Sequence, residues 1–368
     1  MKNCTKKNNK AVKNNYEYFC GIDIHKKKSY VYIVDNNGNR VLSKNISTTK
    51  TEYTKLFSQF DSSAIQVAIE IGSITFTYCD LFNNLGIDYH IVNTTTHLAI
   101  ATSTKKTDKN DAKRLAINLW KEVLPEQVYM PTKEERELRI LITHRSRYVK
   151  QQTRLINKTM AFLSNYDIVL KRKQLKSHET WEKLEKQIME GDNNVLKLLF
   201  KKAFKEMYFL WETITELEEL LLSLVKNNKE FYEKYQLLTS IPGVAFVTAI
   251  TIIGIVGDIS RFDNVRQFAS YLGLCPKVRD SGGKQYGSRK ITKRGNGLLR
   301  GYLCQGVISM LNSKKPEAIP LQTIYDGLKK RRGWKKARVA MSRKYSHIIF
   351  GILKYGKPYN PAMVIKTA

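Results

Sequence analysis

The spacing of apolar positions changes along the chain, and the change divides it. In the first third, apolar and polar residues alternate with a period of two, the pattern of half-buried strands. It predicts strands over 17–24, 29–34 and 40–44, the last two joined by the hairpin turn Asp35-Asn36-Asn37-Gly38-Asn39. A helix near 50–60, a strand over 64–70, a helix near 76–85 and a strand over 87–92 follow, with helices from about 94 and from 108. From 133 to 235 no strand is predicted and the period is helical. The apolar pairs Leu141/Ile142, Tyr148/Val149, Leu155/Ile156 and Phe162/Leu163 recur every seven residues, and Leu210, Ile214, Leu217, Leu221 and Leu224 step by four and three. Such a rhythm fits a helical hairpin packed on itself and equally a dimerisation arm, because heptads do not reveal whose helix is the partner.

Near residue 236 the composition shifts toward Gly, Pro and basic residues. An apolar helix over 245–256, a helix over 264–273, a Gly-rich loop over 280–287 and mainly helical sequence to about 355 are expected. The chain therefore reads as α/β followed by all-α. The expected parts are a basic, disordered tail over 1–15, an α/β domain over 16–125, a helical, coiled-coil domain over 126–235 and a C-terminal domain over 236–368. No internal repeat is visible.

Composition narrows the partners. The chain has 368 residues, with 63 Lys and Arg against 33 Asp and Glu, a formal net charge of +30. A polyanion is required to offset it, and no stand-alone basic amphipathic helix offers to dock on a membrane. No apolar run approaches the roughly 20 residues that span a bilayer, and the first residues show no hydrophobic signal segment. Five scattered cysteines form no Cys-x-x-Cys pair, so neither a zinc site nor a disulfide framework is expected, and a reducing cytoplasm fits, with the basic chain on the nucleoid. Two stretches carry the excess charge: Lys284, Arg289, Lys290, Lys293, Arg294 and Arg300, then Arg331, Arg332, Lys335, Lys336 and Arg338 with flanking lysines. Acids are nearly absent beside them, and Tyr286, Tyr302 and Trp334 are interleaved, a pattern suited to phosphates and bases.

Against that background the acids stand out. Asp23 lies in a strand, Glu70 closes another, and Asp108 and Asp111 are one helical turn apart. Acidic oxygens on rigid elements are what two-metal phosphoryl chemistry needs, with Mg²⁺ or Mn²⁺ clamping the attacking and leaving oxygens. Taken singly, Asp108 and Asp111 read as helix caps and Glu70 as a solvated strand end. Six histidines show no metal-ligand spacing; His25, two residues from Asp23 and on its strand face, is placed to approach the acids but reads first as structural. Ile241-Pro242-Gly243-Val244 before an apolar helix is like the hairpin of helix–hairpin–helix modules, which grip a phosphate with backbone N–H groups; Ala245 stands where a second Gly is usual, and a simple turn reads as well. By composition the loop around Ser281, Gly282 and Gly283 is a linker.

An antiparallel meander followed by strand–helix–strand–helix is the order of the ribonuclease H fold. The motifs Gly21-Ile22-Asp23-Ile24-His25-Lys26, Glu70-x-Gly72 and Lys106-Thr107-Asp108-Lys109-Asn110-Asp111-Ala112 resemble those of the DEDD transposases of the insertion-sequence one-ten family. So do Ile241-Pro242-Gly243-Val244, Phe268–Pro276, Ser281-Gly282-Gly283, Lys293-Arg294-Gly295-Asn296 and Lys336–Ala340, over roughly 18–362. The departures are Ala245 and an aromatic-poor stretch after Glu70.

The resemblance implies a RuvC-like N-terminal domain, a coiled-coil middle and a C-terminal transposase domain. It implies that Asp23, Glu70, Asp108 and Asp111 hold Mg²⁺ and that Ser281 attacks the scissile phosphate to form a phosphoserine–DNA intermediate. Partners implied are double-stranded donor and target DNA and a structured non-coding bridge RNA. The assembly implied is a homodimer or homotetramer with composite active sites. The alternative is a RuvC-like, metal-dependent junction or flap nuclease that uses water and not Ser281. A third reading, an RNA-binding scaffold with a degenerate acidic set, sits poorly with four carboxylates intact.

Overall fold

The computed structural model describes the backbone of residues 16–93, 107–277, 280–281, 284–285 and 290–365. The expected tail before residue 16 and the expected helix from about 94 lie outside the described residues. The chain divides into two compact units, one ending at Met130 and one beginning at Pro131.

The first unit is built on a five-stranded sheet in the order β3-β2-β1-β4-β5. β1 (Tyr18–Ile24), β2 (Lys28–Asp35) and β3 (Arg40–Ser47) form the antiparallel meander, and β4 (Ile65–Glu70) and β5 (Asp88–Val92) add in parallel beside β1. The β2–β3 turn is held by the Asp35 carboxylate, which accepts from the backbone N–H groups of Asn37 and Asn39 at 2.9 and 2.8 Å. β3 runs three residues beyond the expected end, because its outer residues are polar and only its pairing with β2 marks it as strand.

Side-chain alternation gives the sheet two cores. Cys20, Ile22, Val67 and Ile69 face α1 (Lys50–Phe57) and α2 (Thr75–Leu85), against Tyr53, Leu56 and Phe82. Phe19, Ala68 and Val92 face the other way, against Ala112, Leu115, Ala116 and Leu119 of α3 (Asp108–Trp120). Gly21 lies on this second face. A Cβ there would collide with the Ala112 carbonyl and the Ala116 backbone nitrogen, so α3 lies directly on β1 because position 21 has no side chain.

Among its described residues the second unit is mainly helical, with one small ladder and an isolated bridge between Pro276 and Ile291. α4 (Lys133–Ser164) starts from a capping box in which Thr132 accepts from Glu135 N–H and Glu135 accepts from Thr132 N–H. It packs on α6 (Asn194–Asn227), with α5 (His178–Glu190) alongside. Leu155, Ile156 and Leu163 of the heptad line share a core with Trp181, Leu184, Phe200, Met207 and Leu210. The ends of the heptad lines are buried within the chain, while Val149, Ile214 and Leu217 between them stay half-buried.

At the other end of α4 and α6, Leu138, Ile142, Leu221 and Val225 join a different core, with Ile250, Ile253, Leu303 and Met341. The helical middle and the C-terminal third therefore share one hydrophobic interior across the expected boundary near 235. That core is completed by α7 (Lys229–Thr239), α8 (Phe246–Val256), α9 (Val265–Tyr271), α10 (Gly297–Leu311) and α11 (Ile319–Tyr355), with a short α12 (Pro361–Ile365) at the end. The Ile241–Ala245 segment is a tight turn between α7 and α8, its Pro242 carbonyl accepting from the buried Tyr345 hydroxyl.

Within the expected Gly-rich loop, the described residues form a two-strand ladder, β6 (Asp280–Ser281) against β7 (Lys284–Gln285). Among the described residues the cysteines are free, and no helix is long and apolar enough to cross a membrane.

Candidate active site

β1, β4 and α3 meet at one end of the sheet, and each delivers an acid there. The parallel register of β1 and β4 runs through Ile22 opposite Ile69, so Asp23 and Glu70 follow as the next residues on neighbouring strands. Both continue the face on which Gly21 and Ala68 meet α3. Glu70 ends β4, where the Thr75 hydroxyl donates to its backbone carbonyl at 2.7 Å and accepts from Gly72 N–H at 2.8 Å. The contact of α3 with Gly21 then sets its first turn, with Asp108 and Asp111, beside Asp23. The cap of α3 is Thr107, whose hydroxyl accepts from Asn110 N–H at 3.3 Å, so neither aspartate is the N-cap residue.

The electrostatics follow from this convergence. Asp23 is the buried member, and loss of hydration is the main cause that pushes its pKa up to about 6. The negative charges of Asp108, Asp111 and Glu70 push in the same direction, while His25 opposes them. His25 Nε2 lies 3.5 Å from Asp23 Oδ2 and 3.5 Å from Asp108 Oδ1. One ligand atom from each of Asp23, His25 and Asp108 falls within 4.8 Å of the others, a grouping able to hold a metal ion. Glu70 and Asp111 stand outside that trio but close enough for their charge to be felt at Asp23.

Asp111 presents a buried Oδ1 that accepts no hydrogen bond and faces Arg114 Nη1 at 3.9 Å. A buried carboxylate oxygen without a donor, beside a surplus of negative charge, fits a hard divalent cation with oxygen ligands. His25 was expected to be structural, and the structure places it between two of the acids. Its signal in the sequence was position alone, two residues beyond Asp23 and just past the end of the strand.

Ser281 lies in the second unit, in β6 and opposite Lys284 of β7. Of the basic residues expected to meet nucleic acid, Arg289 lies outside the described residues. Lys290, Lys293 and Arg294 are exposed, as are Arg331, Arg332, Lys335 and Lys336. Arg300 has other work. Its Nη1 donates to the carbonyls of Leu272 and Gly295, both at 3.1 Å, so it ties two segments of the fold together. Charge counting could not reveal this structural contact.

Comparison with known proteins gives a consistent answer. Residues 20–168 match a DEDD family model described as Transposase, and residues 235–321 match the Transposase IS116/IS110/IS902 family. The chain is 27% identical over 317 residues to the transposase for insertion sequence element IS1111A of Coxiella burnetii, covering 84% of this chain and 85% of that protein. It is 25% identical to a probable family 20 transposase of Pseudomonas aeruginosa, over 70% of this chain and 75% of the relative. A pilin gene-inverting protein of Moraxella lacunata is 25% identical over 150 residues, 40% of this chain and 46% of that one. The first of these models covers the carboxylates of the first unit and the second covers the Ser281 ladder. The chain belongs to the IS116/IS110/IS902 family of transposases, enzymes that act on DNA.

Proposed function

We propose that this transposase cuts and rejoins DNA with two sets of groups: the carboxylates Asp23, Glu70, Asp108 and Asp111, and the hydroxyl of Ser281. The observation that carries the reading is the convergence of four acids from two strands and a helix, with one buried carboxyl and one buried, undonated oxygen. Those acids would hold the divalent metal, Mg²⁺ or Mn²⁺. Such an ion, when bound, supplies positive charge to the phosphate oxygens and favours the ionised nucleophile. Carboxylates suit these hard ions better than imidazole does. His25, when protonated, is then best understood as a cation between Asp23 and Asp108 that supports their ionised forms.

In the proposed reaction the Ser281 oxygen gives up its proton and forms a bond to phosphorus. The sugar oxygen of the cut strand leaves and takes a proton. A second sugar hydroxyl then attacks the phosphoserine, restoring a phosphodiester and freeing the serine. One P–O bond forms and one breaks at each step, so strands are rejoined without an external energy source. The name of the Moraxella relative supports rejoining, since inverting a gene requires strands to be resealed as well as cut. In this reading the basic residues Lys284, Arg289, Lys290, Lys293 and Arg294 hold the phosphate backbone, and Arg331, Arg332, Lys335, Lys336 and Arg338 extend that hold. Site choice is delegated to a structured guide RNA that pairs with donor and target, as the family resemblance implies. The three sequence segments over 16–125, 126–235 and 236–368 correspond to catalysis by acids, a helical spacer and the serine module.

A second reading keeps a specific observation in its favour: the carboxylates all lie in the first unit, which is sufficient for a hydrolase that activates water. A denaturing quench of a reaction with labelled DNA separates the two. We expect a covalent protein–DNA adduct that requires metal, vanishes in Ser281→Ala and forms no more than trace product in Asp23→Asn. Metal-dependent nicking that persists in Ser281→Ala at the wild-type rate, with no adduct at any time, would establish the hydrolase.

A further inference from the structure

α11 is not one helix. Gly333 breaks it with φ 73° and ψ 159°, a conformation open essentially to glycine alone. Nothing lies within 4 Å of where a Cβ would sit, so the backbone and not crowding demands the glycine. The break falls in the most basic part of the element. α11 holds ten Lys and Arg and a single acid, Asp326.

Trp334 is the first residue after the break. It lies on the same helical line as Ala337 and Met341, both fully buried, yet its own side chain is 53% exposed. A large aromatic left in water is uncommon unless something is to cover it. Its neighbours say what. Lys335 Nζ lies 5.3 Å from the ring centroid and the Arg338 guanidinium 5.5 Å. Arg338 Nε is buried without a hydrogen-bond partner, a donor in search of an acceptor. Further along, burial holds His347 below its ordinary pKa, and the charges of Arg343 and Lys344 push the same way.

Cations around the ring select an anionic partner, and the ring itself needs a flat partner. Nucleic acid offers both, but within a duplex each base face is already covered by its neighbours. Only an unpaired or extruded base presents a free face.

We propose that Trp334, set out by the Gly333 break, is a stacking platform for one unpaired nucleobase, with Lys335 and Arg338 receiving the adjoining phosphates. The proposal rests on the strand-exchange reading above, since exchange is what unpairs bases. It fits an unpaired base in opened DNA and one in RNA by the same chemistry.

The test uses the full chain and fluorescence anisotropy at one fixed salt concentration. The probes are fully paired DNA, the same duplex with a mismatched bubble, single-stranded RNA of matched length, and heparin as a polyanion without bases. Trp334→Ala is expected to weaken binding to the bubble, the RNA or both by about tenfold, close to 1.4 kcal/mol. Paired DNA and heparin should change by less than about twofold, and Trp334→Phe should keep most of the bubble affinity. The probe that responds identifies DNA or RNA as the source of the base.

Equal losses on all four probes would overturn the proposal, because the ring would then only be shaping a charged surface. So would unchanged bubble and RNA binding, alone or with a shift in assembly size by light scattering, which would make Trp334 a protein contact. Either result, obtained with a wild type that binds DNA and forms the serine adduct, leaves the recombinase reading standing. A wild type that binds no DNA would overturn both.

Discussion

A carboxylate withdrawn from water beside three others resists ionising, and this is the state of Asp23. The consequence for stability follows from linkage. Its folded pKa, about 6, lies above the unfolded value. The stabilising contribution is therefore present below about pH 4 and is lost as pH rises through about 6. Asparagine imitates the protonated form at every pH. In metal-free buffer, Asp23→Asn is expected to melt roughly 2–4 °C above the wild type at pH 7.5 and level with it at pH 4. Divalent metal should close that gap by stabilising the wild type alone, while strand cleavage by the variant falls at least about a hundredfold. Melting curves across pH, with and without metal, decide it, and a variant less stable than wild type at neutral pH would mean that Asp23 is a structural carboxylate. The four acids were legible in the sequence because strand and helix periods placed them on rigid elements. The particular contacts of His25 and Arg300 were not legible there. The partners of His25 include Asp108, far along the chain, and those of Arg300 are backbone carbonyls, which have no residue identity to read.

At the scale of elements, the site depends on how closely α3 approaches β1. Gly21 is the residue that permits it, and a methyl group there meets backbone atoms that cannot rotate away. Gly21→Ala should destabilise the first unit by about 1–3 kcal/mol and displace the first turn of α3. Asp108 and Asp111 would still be present but misplaced. Cleavage by Gly21→Ala should therefore need more Mg²⁺ for half-maximal rate and recover in part at high metal, whereas Asp23→Asn should not recover. A metal titration of both variants distinguishes displacement from removal; an unchanged metal requirement in Gly21→Ala would show that another contact positions α3. The strands and most helices were predictable because each buries one face with its own period. The β6–β7 ladder was not, since two-residue strands have no period and are defined only by their pairing. The break at Gly333 lay equally outside pattern reading, for a glycine inside a helical run marks a permitted kink and not an actual one.

For the molecule as a whole, the heptads did not determine what covers them: α4 and α6 bury one end of their lines with α5 and the other in the C-terminal core, and leave Val149, Ile214 and Leu217 half-buried between. Two units result, one carrying the carboxylates and the other Ser281. The family resemblance implies that a working site takes its acids from one subunit and its serine from another. Mixing two inactive variants tests that arrangement directly. In a pair formed by Asp23→Asn and Ser281→Ala, sites assembled within one subunit are all dead. Sites assembled between subunits behave differently: one combines both defects, and the other combines intact acids with an intact serine. If subunits exchange freely into twofold pairs, half the pairs are mixed and half of their sites work, so adduct formation should return to about a quarter of the wild-type level. The adduct must then appear on the Asp23→Asn chain, which carries the intact serine. Tagging that chain with a different mass makes the assignment visible on a denaturing gel. Adduct absent from the mixture, after light scattering has shown that the subunits exchanged, would place both halves of the site in the same subunit.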